Sequence, residues 1–213
     1  THGFKFEGTP ASLEAVRYRR AGIQDEGSQL VAEIFAKVVA DTDDWLDLCA
    51  GPGGKAALLS AIAKESGKKF SANEVSQVRA KLVEQVIGGA RILVSDGREI
   101  SSMGEEFGAI LADVPCTGLG ALRRRPEVRW RRTVADLREL TQLQRELADG
   151  AISVLKDGGF FGYATCSPHL AETSIAVSDI LRKHPELEIV DLQPYLPSHL
   201  EGALRDKSLS LWT

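Results

Sequence analysis

The sequence predicts an α/β fold built on a mostly parallel sheet with helices on both faces. Three observations predict it. Short apolar runs alternate with segments of helical periodicity along most of the 213 residues. The first run ends in a glycine-rich turn that opens a helix. An acidic residue follows each of the next three runs, at the strand ends where ligands gather in sheets of this kind.

Residues 1–27 carry Gly, Pro and a basic cluster (Arg17, Arg19, Arg20) and read as a lead-in. Ser28 is expected to cap a helix running to about Ala40, with Leu30, Val31, Ile34 and Val38 on one face. Residues 1–40 are therefore taken as a lead-in and helix, and 41–213 as the domain proper. Strands are expected at 44–49, 68–73, 91–95, 107–112 and 159–165, with a sixth short strand at 187–190. Helical patterns lie near 54–65, 75–87, 133–155 and 169–184. Crossovers between parallel strands should be right-handed.

The formal net charge of −4 argues against coating nucleic acid by bulk charge, and leaves room for a local basic patch. No apolar run reaches membrane-spanning length and no signal-peptide pattern is present, so a cytoplasmic location without a membrane partner is expected. Cys49, Cys116 and Cys166 form no CxxC pair, and the four histidines lack metal-ligand spacing. Neither a disulfide framework nor a metal is expected, and the chain is read as a monomer. Met103 is the only methionine, and the sequence reads as a piece of a longer chain.

The first strand runs into Asp47-Leu48-Cys49-Ala50-Gly51-Pro52-Gly53-Gly54-Lys55. Two phosphate-binding readings fit poorly. A P-loop needs Gly where Cys49 stands and Ser or Thr where Ala56 stands, and the third glycine of a dinucleotide fingerprint is also Ala56. Glu74 ends the second strand some 20 residues on, the spacing at which an acid reaches ribose hydroxyls. Asp96 follows the third strand and Asp113 the fourth. One such acid alone reads as a helix cap or solvated loop residue. The ordered series suits a nucleoside cofactor with positive charge, such as the sulfonium of S-adenosylmethionine.

Cys116, in Asp113-Val114-Pro115-Cys116-Thr117-Gly118, follows the fourth strand, and Cys166, in Ala164-Thr165-Cys166-Ser167-Pro168, follows the fifth. A single cysteine is by default a buried, inert side chain. Two in turns at neighbouring strand ends would face one cleft. The segments DLCAGPGGK, DVPCTG and ATCSPH resemble the signatures of the RsmB/Sun (NOL/NOP/Sun) family of RNA 5-methylcytosine methyltransferases, bacterial rRNA type. Similar segments occur at Gly22–Gln29, at Arg125–Trp130, and at Leu140 and Gln144.

That resemblance implies a Rossmann-like class I S-adenosylmethionine-dependent methyltransferase fold and an enzyme that methylates C5 of a cytosine in RNA, with ribosomal RNA as partner. It implies Cys166 as the nucleophile at C6, Asp113 on the base, and Cys116 in product release. It also implies cofactor contacts from Cys49, Ala50, Gly51, Pro52, Gly53, Gly54 and Lys55, from Glu74 on the ribose, Asp96 near the adenine and Asp113 near the methionine end. Arg79 would assist through Glu74 or the cofactor, Lys55 could also face the base, and Cys49 is expected to pack rather than react. DNA cytosine methyltransferases place the nucleophile in a Pro-Cys-Gln context; Thr117 stands in place of that Gln.

Residues 123–132 hold six arginines (Arg123, Arg124, Arg125, Arg129, Arg131, Arg132) around Trp130. Beside a cytosine pocket they are expected to bind RNA phosphates, with Trp130 stacking on a base or packing inward. Two departures from the family pattern stand out. The chain ends at Ser210-Leu211-Trp212-Thr213, so the final antiparallel strand is expected to be missing, and Pro168-His169 and Glu172-Thr173 read as tolerated variation. The rival readings are a non-catalytic RNA-binding or assembly module that keeps a cofactor pocket, and a methyltransferase with another nucleic-acid target. A nicotinamide dehydrogenase is weakened by the incomplete fingerprint.

Overall fold

A computed structural model describes residues 7–211. Two short helical segments lead in, a 3-10 turn at Pro10–Ser12 and α1 (Glu14–Arg17), followed by α2 (Glu26–Val38). The alternating core runs β1 (Asp44–Asp47), α3 (Gly54–Glu65), β2 (Lys69–Asn73), α4 (Gln77–Glu84), β3 (Arg91–Leu93), β4 (Phe107–Asp113), α5 (Val128–Arg131), α6 (Val134–Ile152), β5 (Leu155–Ala164) and α7 (Ser174–Lys183). A small hairpin of β6 (Leu204–Arg205) and β7 (Ser208–Leu209) ends the described chain.

The five main strands are all parallel, in the order β3-β2-β1-β4-β5. Their alternation sorts side chains onto two faces. Trp45, Phe70, Ala109 and Leu111 join residues of α2, α3 and α4 in one cluster, including Phe35, Leu59 and Val83. Leu46, Leu93, Ile110 and Ala112 join Leu147 and Ala151 of α6 in the other. β4 is buried almost throughout, as expected of a central parallel strand covered on both faces. Trp45 anchors the first face: its ring meets Phe35 edge-on at 6.5 Å, and its indole N–H donates to the Thr42 hydroxyl at 2.9 Å.

Three expectations are corrected. The cap of α2 is Asp25, whose carboxylate accepts from the Gly27 N–H at 3.1 Å, not Ser28. The Ser28 hydroxyl lies one turn inside the helix and accepts from the Lys55 ammonium at 2.9 Å. β5 begins four residues earlier than its apolar run suggests, because the ladder irregularity between Phe107 and Ala109 and the left-handed Gly158 (φ +72°) carry the polar Lys156-Asp157 pair within the strand. No strand forms at 187–190 among the described residues; Leu187, Ile189 and Val190 stay half-buried or exposed and find no ladder. Trp212 and Thr213 lie outside the described residues. No helix among the described residues is long and apolar enough to cross a membrane.

Candidate active site

The C-terminal ends of β1, β2, β4 and β5 converge on one pole of the sheet, and the turn after β1 forms its floor. The Leu48 N–H donates to the Leu111 carbonyl at 2.8 Å and the Ala50 N–H to the Asn73 carbonyl at 2.9 Å, so both neighbouring strands hold the turn. Asn73, itself buried, donates its amide to the Leu48 carbonyl at 3.0 Å and accepts from the Ser95 hydroxyl at 2.8 Å. Gly51 and Pro52 are joined by a cis peptide bond, and Gly53 (φ +114°) turns the chain into α3 in a conformation that disfavours side chains. At Gly51 the constraint is space: a Cβ there would collide with a Glu74 carboxylate oxygen.

That carboxylate is buried and braces the turn. One oxygen accepts from the Gly51 N–H at 3.0 Å and the other from the Ser76 N–H at 2.9 Å. Arg79 pairs with Glu74 at 3.4 Å and donates to the Gly51 carbonyl. Asp96 caps the following 3-10 helix through the Arg98 N–H at 3.0 Å and pairs with the Arg98 guanidinium at 2.6 Å, whose hydrogen bonds hold its pKa below the ordinary value. Burial pushes the Cys49 thiol well up, and the side chain packs against the core.

Asp47, at the end of β1, is a further acid that the sequence reading quoted without singling out. It is 1% exposed, and neither carboxylate oxygen has a hydrogen-bond partner among the described residues. Burial, and then the charge of Asp113, raise its pKa to about 7, while Lys55 acts in the opposite sense. A buried carboxylate without partners is costly unless a ligand satisfies it. Together with the start of α3, where Gly53 offers no side-chain cap, this orphaned acid fits a nucleoside cofactor that carries cationic groups.

On the other side of the pole, Lys55 donates to Asp113 at 2.7 Å, tying α3 to β4. The β4–β5 register pairs Asp113 with Ala164, and the Val114 N–H donates to the Ala164 carbonyl at 2.9 Å. The two following turns therefore leave the sheet side by side. They bring the Cys116 and Cys166 sulfurs to 3.2 Å, with Cys166 exposed and Cys116 half-buried. The hydrogen bond between them outweighs burial and lowers the Cys116 thiol to about 6. The same bond, then burial, pushes Cys166 up. The pair as a unit gives up its first proton easily and its second with difficulty.

Glu172, read from the sequence as tolerated variation, is instead fully buried between the two turns. It accepts from the Thr117 N–H at 2.8 Å, from the Thr117 hydroxyl, and from the Gln144 amide at 3.0 Å. The arginine-rich segment lies next to the Cys116 turn. The Arg132 guanidinium reaches the Cys116 carbonyl at 3.4 Å, Arg124 pairs with Asp25, and Trp130 is 84% exposed with Arg129 stacked 5.8 Å from its ring centre. The alternative of an inward-packed Trp130 is thereby excluded.

Residues 36–204 match the family model described as 16S rRNA methyltransferase RsmB/F. A putative methyltransferase of Mycobacterium tuberculosis is 48% identical over 96% of this chain and 45% of its own length. The ribosomal RNA small subunit methyltransferase B of Vibrio cholerae is 33% identical over 82% of this chain and 41% of its own. The crystal structure of NSun6 from Pyrococcus horikoshii with SFG superimposes with a TM-score of 0.72 at 25% identity, covering 83% of this chain and 46% of that one. The chain thus spans less than half the length of these relatives.

Proposed function

The chain belongs to the 16S rRNA methyltransferase RsmB/F family, and from that membership we propose that its protein methylates C5 of a cytosine in RNA, within small-subunit ribosomal RNA, through a covalent bond from Cys166 to C6. The fold is that of S-adenosylmethionine-dependent methyltransferases, with S-adenosylmethionine as the cofactor. One observation carries the proposal: two thiols 3.2 Å apart stand at adjacent strand ends beside the Asp113–Lys55 pair.

The chemistry follows from what each residue can do. Cytosine C5 is a poor nucleophile. As the Cys166 sulfur bonds to C6, the ring π pair shifts toward C5 and N3, and C5 gains enamine character. The Cys166 proton passes across the 3.2 Å contact to Cys116 and from there to solvent. Asp113, held by Lys55, accepts from the exocyclic amine, and the Lys55 ammonium beside it offsets the negative charge that develops at N3. Bound S-adenosylmethionine supplies the electrophilic methyl group. Cys116, again a thiolate, then takes the C5 proton, the C6–sulfur bond breaks, and Cys166 leaves with the bonding pair. The sulfur pair ends as it began, sharing one proton.

The Gly51–Lys55 turn, Glu74 and Arg79 would hold the cofactor, with Asp47 beside its cationic end and Asp96 near the base. The target cytosine must be unpaired or flipped to reach the thiol. Full-length protein incubated with methyl-labelled cofactor and cytosine-containing RNA tests the reading. Cys166→Ala should abolish transfer to C5, and Cys116→Ala should accumulate a covalent protein–RNA adduct. Transfer that survives in Cys166→Ala overturns the assignment.

A further inference from the structure

We propose that Glu172 is a positioning residue for this reaction: its carboxylate sets the spacing of the two cysteine turns by holding the residues that follow Cys116 and Cys166. The inference rests on the reading that both cysteines act on one base.

The geometry is local and closed. Thr117 directly follows Cys116, and both its N–H and its hydroxyl donate to Glu172. Ser167 directly follows Cys166, and its hydroxyl lies 3.0 Å from that of Thr117. Ser167 and Glu172 are both 0% exposed. The Gln144 amide donates both to Glu172 at 3.0 Å and to the Pro115 carbonyl at 2.9 Å, so α6 holds the residue before Cys116 as well. The Tyr163 hydroxyl closes the ring by donating to the Gln144 side-chain oxygen at 3.1 Å and to the Glu172 carbonyl at 3.0 Å. Burial raises the pKa of Glu172, but the hydrogen bonds from Ser167, Thr117 and Gln144 outweigh it and keep the carboxylate ionised.

A buried carboxylate is a costly way to fill a core position. None of the hydrogen bonds to this one comes from either sulfur. What it commands is the register of two turns, which must bring two sulfurs to the same ring. In such a site a displacement near 1 Å can cost on the order of 10²-fold in rate.

Glu172→Gln keeps the shape but turns an amide NH2 toward donors that need an acceptor. In the full-length protein kcat should fall on the order of 10²-fold. RNA KM and cofactor affinity should stay within about twofold, because the lost interaction bears on the reacting geometry and not on binding. Under reducing conditions the pH profile of iodoacetamide alkylation at Cys116 should move upward as the sulfurs separate, and Glu172→Asp should restore part of both effects. A general loss of stability would not move that profile selectively. Should Glu172→Gln fail to fold, Thr117→Val removes only the hydroxyl donor and should show the same two changes. Wild-type kcat, or an unshifted alkylation profile, in the folded variant overturns the inference. If Cys166→Ala still transfers methyl groups, the reading of function falls, while the alkylation result still judges the spacing role.

Discussion

Between Cys116 and Cys166 one proton has two sulfurs to occupy, and this sets the pH behaviour of the site. Alkylation of Cys116 in reduced protein should rise through pH about 6. In Cys166→Ala it should rise only near the ordinary thiol value of about 8.5, since the hydrogen bond is gone. Equal profiles in the two proteins would contradict the shared proton. Asp47 behaves in the opposite sense. Folding raises its pKa from 3.8 to about 7, so between those values the native state holds a proton that the unfolded chain has lost. Stability should therefore fall as pH rises from about 4 to about 7, by at most about 4 kcal/mol, and then level off. Asp47→Asn should flatten that slope in urea titrations at pH 5 and pH 8; an unaltered slope would refute the assignment. The paired cysteines were legible because turn residues surround them at consecutive strand ends. Asp47, Asn73 and Glu172 were not, because a polar residue's burial depends on partners from elements distant in the chain, and Glu172 meets Thr117 across 55 positions.

At the scale of elements, the turn from β1 into α3 is where the backbone and the proposed cofactor site are most tightly joined. Gly51→Ala would drive a methyl group into Glu74 and the Arg79 guanidinium. We expect a loss of about 1–3 kcal/mol, together with weaker S-adenosylmethionine binding by titration calorimetry. Unchanged binding would mean that Glu74 does not organise the turn. This element was readable in advance: α3 begins and ends where its pattern predicts. Other boundaries depended on tertiary contacts. Asp25 and Ser28 are both good capping residues; Asp25 caps the helix, and the Ser28 hydroxyl is taken by Lys55 and the Gln24 amide. The start of β5 was hidden by Lys156 and Asp157, which fall in the register shift between the Phe107–Leu155 and Ala109–Phe160 pairs. The run at 187–190 has strand composition but finds no ladder partner among the described residues, and composition alone cannot supply one.

At the scale of the molecule, charge is unevenly spread. The chain carries −4 overall, yet Arg129 and Arg131 flank the exposed Trp130 beside the Cys116 turn. Arg124 is committed to Asp25, so Arg129→Ala with Arg131→Ala is the cleaner test of RNA contact. If each meets one phosphate, the slope of log affinity against log salt should shrink by roughly 1.4 for single-stranded RNA. An unchanged slope would place the RNA elsewhere. The sulfur contact has a consequence on this scale as well. Peroxide can take two electrons and two protons from thiols so placed, forming a disulfide and leaving water. That bond would close a loop of about 50 residues and, by chain entropy, stabilise the fold by roughly 4 kcal/mol. Oxidised protein should thus melt at a higher temperature while transferring no methyl groups, with dithiothreitol reversing both, so that the sturdiest form of the molecule is its silent one.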